Sequence, residues 1–363
     1  MKAGWYKKKL GEVCELVNGR AYRKPELLSE GKYKVLRVGN FFTNEHWYYS
    51  DLELEDKKFC DNGDLLYAWS ASFGPRVWTG EKVIFHYHIW KVIPDFSQID
   101  QQFLFYFLEW DKELLKLEKG AGTTMIHVSK GSMEERDILV PPLTEQQRIV
   151  AILDEAFDAI AAARANAEQN RQNARALFDS MLNSVNGEPA ALGDYVSIKT
   201  GKLDANAAVE GGEYPFFTCS KEIYAIDKFA FDCEAILLAG NNAVGDFNVK
   251  HYRGKFNAYQ RTYVITVNNE AQLHYRFLYF QMLKSLKRFK EQSVGAGTKF
   301  LKLGMIKDLK ISLPSPQEQK RLVSLLDSVL EETQRLESLY QRKITALDEL
   351  KQSLLQQAFS GQL

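Results

Sequence analysis

The chain has 363 residues, 45% of them hydrophobic and 26% charged, and a formal net charge of zero. This is ordinary globular composition, long enough for about two domains, and it lacks the cationic excess of a binder held to nucleic acid by charge alone. Met1 to Lys9 is short, polar and basic with no apolar stretch behind it, and no apolar run approaches the roughly 20 residues that span a bilayer. Cys14, Cys60, Cys219 and Cys233 are scattered without a CxxC pair, so neither a zinc ribbon nor a disulfide framework is indicated. A reduced, cytoplasmic protein is expected.

In chain order, β-rich runs punctuated by Gly, Asn and Asp turns fall at Val35 to Val38, Leu65 to Trp69 and Val83 to Val92. A helix follows at about Gln101 to Lys119. A long helix starts at Thr144, an N-cap type residue, with Glu145 in its first turn. Further strands are predicted at Ala235 to Leu238 and Thr262 to Val267, then a helix at Gln272 to Glu291, and a second long helix from Ser315 and Pro316 with Glu318 in its first turn.

Both long helices carry a 4-3 apolar spacing. The first reads Ile149, Leu153, Ala156, Ile160, Ala163, Ala167, Asn170, Ala174, Leu177, Met181, and the second Leu322, Leu326, Val329, Thr333, Leu336, Tyr340, Lys343, Leu347, Leu350, Leu354. A heptad seam of this length predicts a coiled coil, roughly 60 Å long for about 40 residues. An antiparallel pairing with Ile149 near Leu354 sets Ala163 and Ala167 across from Tyr340 and Leu336, small against large, and Asn170 opposite Thr333.

The strongest signal is internal duplication. Pro141-Pro-Leu-Thr-Glu-Gln-Gln-Arg-Ile-Val-Ala-Ile-Leu-Asp154 returns, at an offset of 173, as Pro314-Ser-Pro-Gln-Glu-Gln-Lys-Arg-Leu-Val-Ser-Leu-Leu-Asp327. Gly-Ala-Gly-Thr precedes each, at Gly120 to Thr123 and Gly295 to Thr298. Each half opens alike, with Leu10-Gly11-Glu12 and Leu192-Gly193-Asp194, and a glycine follows at Gly19 and Gly201. The order is module, helix, module, helix. The expected fold class is α+β, with two globular domains related by a pseudo-twofold repeat and separated by two long helices forming an antiparallel coiled coil. The expected boundaries are a first module at residues 1–143, a spacer helix at 144–187, a second module at 188–316 and a second spacer helix at 317–363. Residues 1–143 hold 20 Lys and Arg against 21 Asp and Glu, and residues 188–316 hold 17 against 13, so only the second module is mildly basic.

Catalytic motifs are missing. Gly240-Asn-Asn-Ala-Val-Gly245-Asp246 has phosphate-loop glycine spacing without the Lys and Ser/Thr that hold phosphate and magnesium. The Gly-Ala-Gly-Thr segments lack the third glycine of a dinucleotide fingerprint. His86 and His88 flank Tyr87 in an expected strand and share a side, but two histidines without a nearby carboxylate or cysteine make a poor metal site. No Asn-Pro-Pro-Tyr or Asp-Pro-Pro-Tyr segment of an amino-methyltransferase occurs. The reading is a non-catalytic protein with no metal site.

The duplicated Pro-x-x-Glu-Gln start leading into a long heptad helix resembles the specificity subunit of a type I restriction-modification system, as do the paired Gly-Ala-Gly-Thr segments, the Leu-Gly-Glu/Asp openings and the chain end Gln357-Ala-Phe-Ser-Gly-Gln-Leu363. The resemblance implies that each module is a target-recognition domain reading one half of a split, asymmetric site in double-stranded DNA. It implies helices that fix the gap and dock two methyltransferase subunits for adenine methylation, with a motor-nuclease subunit joining for cleavage. S-adenosylmethionine is then expected on the partners, with no cofactor on this chain. A specificity chain of another restriction system, and a tandem-module scaffold that binds no DNA, are the competing readings.

Loop residues able to reach phosphates or base edges are the candidate DNA contacts. In the first module these are Asn18, Arg20, Arg23, Lys24, Trp69, Ser70, Ser72, Arg76, Thr123, Thr124 and His127. In the second they are Thr200, Lys202, Asn241, Asn242, Gln260, Arg261, Thr298, Lys299 and Lys302. Arg20 with Lys202, and the Thr residues after Gly-Ala-Gly, recur in both copies. Capping alone accounts for Glu145-Gln146 and Glu318-Gln319; a contact to a partner protein is the sharper alternative.

Overall fold

The structure is a computed structural model, and it describes residues 4–42, 45–70, 73–118 and 127–363. It divides into two compact units, one formed by residues 1–167 with 342–363 and the other by residues 168–341.

The first unit contains β1 (Tyr6–Lys9), β2 (Cys14–Asn18), β3 (Tyr33–Leu36), α1 (Val38–Phe42), β4 (Tyr48–Ser50), β5 (Phe59–Cys60), β6 (Leu65–Ala68), β7 (Gly74–Val77), β8 (Val83–Phe85), β9 (Ile89–Pro94), α2 (Gln101–Glu118), α3 (Lys130–Glu134), β10 (Asp137–Val140) and the start of α4 (Leu143–Asn183). Its strands form two four-stranded sheets, ordered β2-β9-β6-β7 and β4-β3-β8-β5, and β1 pairs antiparallel with β10. The expected strand from Val83 to Val92 is two strands, because β8 belongs to one sheet and β9 to the other. His86, Tyr87 and His88 make the turn between them, closed by the Ile89 N–H donating to the His86 carbonyl at 2.9 Å.

The second unit contains β11 (Glu188–Ala191), β12 (Val196–Thr200), β13 (Tyr214–Phe217), β14 (Tyr224–Ile226), β15 (Phe231–Ala239), β16 (Asn241–Asn242), β17 (Val249–Ala258), β18 (Thr262–Val267), α5 (Tyr275–Gln292), β19 (Lys299–Phe300), α6 (Leu303–Lys307), β20 (Lys310–Leu313) and most of α7 (Pro316–Phe359). One six-stranded sheet runs β12-β18-β15-β17-β13-β14. Its continuous strand β17 pairs antiparallel with β15 and parallel with β13. In the first unit these roles fall to two strands, β7 beside β6 and β8 beside β3, which is why one sheet there becomes two. No strand was expected at β17, because its Lys250, His251, Arg253 and Lys255 hide the apolar alternation.

Each unit buries its own core. Leu16, Tyr67, Trp90, Phe103 and Phe107 are central in the first, where Ile149, Leu153, Leu355, Ala358 and Phe359 of the long helices join them. Ile236, Ile265, Phe277 and Phe280 are central in the second, together with Phe178, Leu182, Leu326 and Leu330. Within each unit α4 and α7 run antiparallel. In the first, Arg164 pairs with Asp348 and the Lys351 ammonium lies 5.0 Å from the Phe157 ring. In the second, Arg171 donates to Gln341 and Thr333 donates to the Ala174 carbonyl.

The seam differs in detail from the heptad reading. Thr333 faces Ala174, a turn further along than Asn170, which is exposed. Leu177 is 60% exposed and Phe178 takes its place, just as Ile344 and Leu355 are buried where Lys343 and Leu354 were expected. A helix of 3.6 residues per turn drifts by about 20° per heptad, so a strict seven-residue frame slips by one position over this length. Helix α4 also begins one residue early. The Pro142 carbonyl accepts the Glu145 and Gln146 N–H groups, which leaves Thr144 inside the first turn rather than capping it.

Candidate nucleic-acid interface

The two repeated helix starts are explained by structure. Gln146 is fully buried: its Oε1 accepts the Asp100 N–H at 2.7 Å, and its Nε2 donates to the carbonyls of Gln98 and Pro141. Gln319 does the same in the second unit, accepting from His274 and donating to Gln272 and Pro314. The motif's last residue ties the long helix to the module helix, through Tyr106 to Asp154 and through Arg276 to Asp327. Glu145 and Glu318 pair with Arg148 and Arg321 one turn on. Both glutamines therefore weld helix to module and offer no surface to a partner.

The loops at one sheet end share a second repeated framework. The Trp69 N–H donates to His88 as Gly240 does to Arg261. Val128 donates to Trp69 as Leu301 does to Gly240, and Gly19 to Ile89 as Gly201 to Thr262. Isolated bridging joins Ser70 to His127, as β16 joins Asn241 to Phe300. Glycine is required at the entry, since a Cβ would lie 2.3 Å from the Phe85 carbonyl oxygen at Gly19 and 1.8 Å from that of Ala258 at Gly201. Backbone thus aligns Trp69 with Gly240, Ser70 with Asn241, His88 with Arg261 and His127 with Phe300.

In the first unit, Asn18, Trp69 and His127 meet in a cleft of about 390 Å³ completed by Trp90, Val128, Ser129, Lys130 and Ser132. The Trp69 ring stacks on Trp90 at 6.0 Å, meets the His88 ring edge-on at 4.9 Å, and fixes its Nε1–H on the Tyr87 carbonyl. Ser70 is buried beneath. Arg20 is held by Glu26, which raises its pKa above the usual value, with burial acting the other way. Arg23 and Lys24 are exposed at the short turn beyond. Arg76 is on β7, its side chain bonded to the Phe41 carbonyl. Ser72, Thr123 and Thr124, with the Gly120 to Thr123 segment, lie outside the described residues.

In the second unit, β16 pairs with β19 so that Asn242 lies opposite Lys299, and the Arg261 guanidinium sits 5.3 Å from the Phe300 ring. Thr200 ends β12, with Lys202 exposed after it. The pairing of Arg20 with Lys202 slips by one. The Tyr87 N–H donates to the Arg20 carbonyl, whereas Gln260 donates to Leu203. The Gln260 amide is engaged by Asp204, and the Asn242 side-chain Oδ1 accepts the Val244 and Asp246 N–H groups. Thr298 lies in the turn before β19, and Lys302 precedes α6. Arg261, Lys299 and the β16 asparagines therefore converge from three distant stretches.

Sequence reasoning passed over Arg37 and Asn40, which line a separate pocket with His86 and His88. Only a third dimension joins α1 to the β8–β9 turn. Among the described residues no group of three or more His, Cys, Asp and Glu is placed to hold a metal, and no helix is long and apolar enough to cross a membrane.

The family model described as "Type I restriction modification DNA specificity domain" matches residues 2–169 and again 185–346. The type I restriction enzyme EcoDI specificity subunit of Escherichia coli is 38% identical over 179 residues, 49% of this chain and 39% of that protein. The MjaVIII specificity subunit of Methanocaldococcus jannaschii is 27% identical over 159 residues, 42% of this chain and 36% of that protein. The matched segments thus span well under half of those curated relatives. Among solved structures, a chain described under "Structural basis underlying complex assembly and conformational transition of the type I R-M system" superposes with a TM-score of 0.79 at 18% identity, covering 100% of this chain and 99% of that one. The HsdS subunit from Thermoanaerobacter tengcongensis gives 0.56 at 18% identity, covering 100% and 98%. These two likenesses concern the fold, and the doubled family match agrees with the doubled framework: the chain belongs to the type I restriction-modification specificity-subunit family.

Proposed function

We propose that this chain is the DNA-reading subunit of a type I restriction-modification complex, in which each unit reads one half of a bipartite, asymmetric site. The observation that carries the reading is one backbone framework bearing two sets of side chains. Where the first unit has Trp69, Ser70, His88 and His127, the second has Gly240, Asn241, Arg261 and Phe300. Equivalent scaffolds suit two pieces of the same duplex, and unlike side chains suit unlike base pairs. Trp69 and His127 beside Asn18 are the leading contacts of the first unit, and Arg261 with Asn241, Asn242 and Lys299 those of the second. Arg23, Lys24, Arg76, Lys202 and Lys302 are cationic groups suited to phosphates.

On this reading α4 and α7 set the gap between half-sites and dock two methyltransferase subunits, which carry S-adenosylmethionine and methylate adenine. A motor-nuclease subunit joins for restriction, and this chain contributes recognition without chemistry. The test is selection of bound duplexes from a random-sequence library by the chain co-expressed with the methyltransferase encoded beside it. Two unlike sequence blocks at a fixed gap are expected. Retention of DNA without a motif, or none retained by a well-formed complex, sinks the reading in favour of a scaffold.

A further inference from the structure

The first unit holds a second pocket, of about 210 Å³, lined by Arg37, Val38, Gly39, Asn40, His86 and His88. The β8–β9 turn brings the two imidazoles 4.9 Å apart, centroid to centroid. His88 also meets Trp69 edge-on at 4.9 Å, so this pocket adjoins the cleft of Asn18, Trp69 and His127. Arg20, Lys34 and Lys91 of this unit have acid partners, namely Glu26, Glu81 and Asp64. Among the described residues no carboxylate pairs with Arg37, His86 or His88; the Arg37 guanidinium instead lies 5.1 Å from the Tyr48 ring. A donor-lined concavity with an unbalanced cation is matched by an anion.

We propose that Arg37, His86 and His88 form a clamp for a phosphodiester of the DNA backbone, and that engaging it draws a proton onto the histidine pair. The proposal rests on the DNA-reading function and adds to it a contact and a pH response. Arg37 supplies the permanent charge. Asn40 also lines the pocket, its amide donating to the His46 carbonyl at 2.7 Å.

The surroundings of the histidines explain the proton. Burial, then the charges of His88 and Arg37, push His86 down to about 4. Burial, then His127 and Arg37, push His88 down as well. Tyr22 stacks on His86 at 6.2 Å, its hydroxyl held above its usual range by burial, and beyond it the Arg20 and Glu26 charges offset each other. Both imidazoles are therefore neutral near pH 7 while the pocket is empty. A phosphate supplies the missing negative charge and raises both pKa values, so binding and protonation favour each other.

The test uses the full chain in complex with its methyltransferase and a labelled duplex carrying the selected motif, titrated at several salt concentrations near pH 6 and near pH 8. Wild type is expected to bind several-fold tighter near pH 6. Arg37→Gln is expected to weaken binding roughly tenfold and to lower the salt slope by about one, the signature of one lost phosphate contact. Arg37→Lys keeps most of the affinity. His86→Gln with His88→Gln abolishes the pH dependence. The selected motif stays the same in both Arg37 variants, because a phosphate contact carries no sequence information.

The clamp is overturned if Arg37→Gln, with an unchanged unfolding midpoint, keeps wild-type affinity and slope, or if the pH dependence survives the double histidine change. Inorganic phosphate provides the other arm. If it shifts the His86 and His88 imidazole resonances and the duplex does not displace it, the pocket takes a free anion and the DNA assignment fails. A wild-type complex that binds no duplex sinks the DNA-reading function together with the clamp, whereas neutral variants of a DNA-binding complex sink the clamp alone.

Discussion

The Gln146 side chain accepts the backbone N–H of Asp100 at 2.7 Å, fixing the start of α4 to the loop that feeds α2. The same amide donates to two carbonyls, so three backbone groups depend on one fully buried side chain. Gln146→Ala strands those groups and is expected to cost about 3 kcal/mol in the first unit, at the upper end for buried groups left unsatisfied. Gln319→Ala should cost as much in the second unit. Glu145→Gln, which weakens the exposed pair with Arg148, should change stability by less than about 1 kcal/mol. Urea unfolding followed separately for each unit checks all three. Equal effects of Gln146→Ala and Glu145→Gln would contradict the buried weld.

Ala174 sits 8% exposed where the Thr333 hydroxyl meets its carbonyl. No space remains there for a larger side chain without moving α7. Ala174→Leu is expected to destabilise the second unit by about 1–3 kcal/mol through overpacking. Asn170→Leu, at an exposed position one turn earlier, should be nearly neutral. Thermal unfolding of the two variants distinguishes the observed seam from a strict heptad seam, which places both positions at the contact and so predicts an effect at each.

His86 sets a pH dependence of stability distinct from that of binding. Its pKa of about 4 in the folded chain lies below the unfolded value near 6.5. Between these values the unfolded chain holds more protons, so stability rises with pH through that window and is lost as pH falls towards 4. The DNA-free chain is therefore expected to unfold more easily near pH 5 than near pH 7.5. His86→Gln flattens that slope. A variant retaining the wild-type slope in denaturant titrations at both pH values would show that another group sets it.

Trp69 and Arg261 lie in different units at neighbouring places of the shared framework. Trp69→Ala is expected to degrade only one block of the selected motif, and Arg261→Gln only the other. Each change corresponds to about 1–3 kcal/mol of lost discrimination. Sequencing the duplexes retained by each variant gives the answer directly. Simultaneous loss of both blocks from either change would argue for one composite reading surface.

Much of the fold was legible in the sequence because it rests on local rules and on repetition. The strand at Thr262–Val267 and the helix from Gln101 follow from apolar periodicity. The duplicated Glu-Gln starts located both long helices and the modular order. The seam was legible for Ile149, Leu153, Ala174 and Thr333, then slipped, because sequence supplies a spacing and the helix supplies an angle.

The candidate site was legible only by residue type. Trp69 and His127, or Arg261 and Lys299, are far apart in the chain, and backbone bonds between distant segments bring them together. The duplication, the two long helices and the family likeness are readable without a fold, since each is written in composition and spacing. Packing in three dimensions makes Gln146 and Gln319 buried welds, matches Arg20 with Glu26, and brings Arg37 into one pocket with two histidines. Burial and charge balance depend on which segments pack against one another, and no local pattern encodes that.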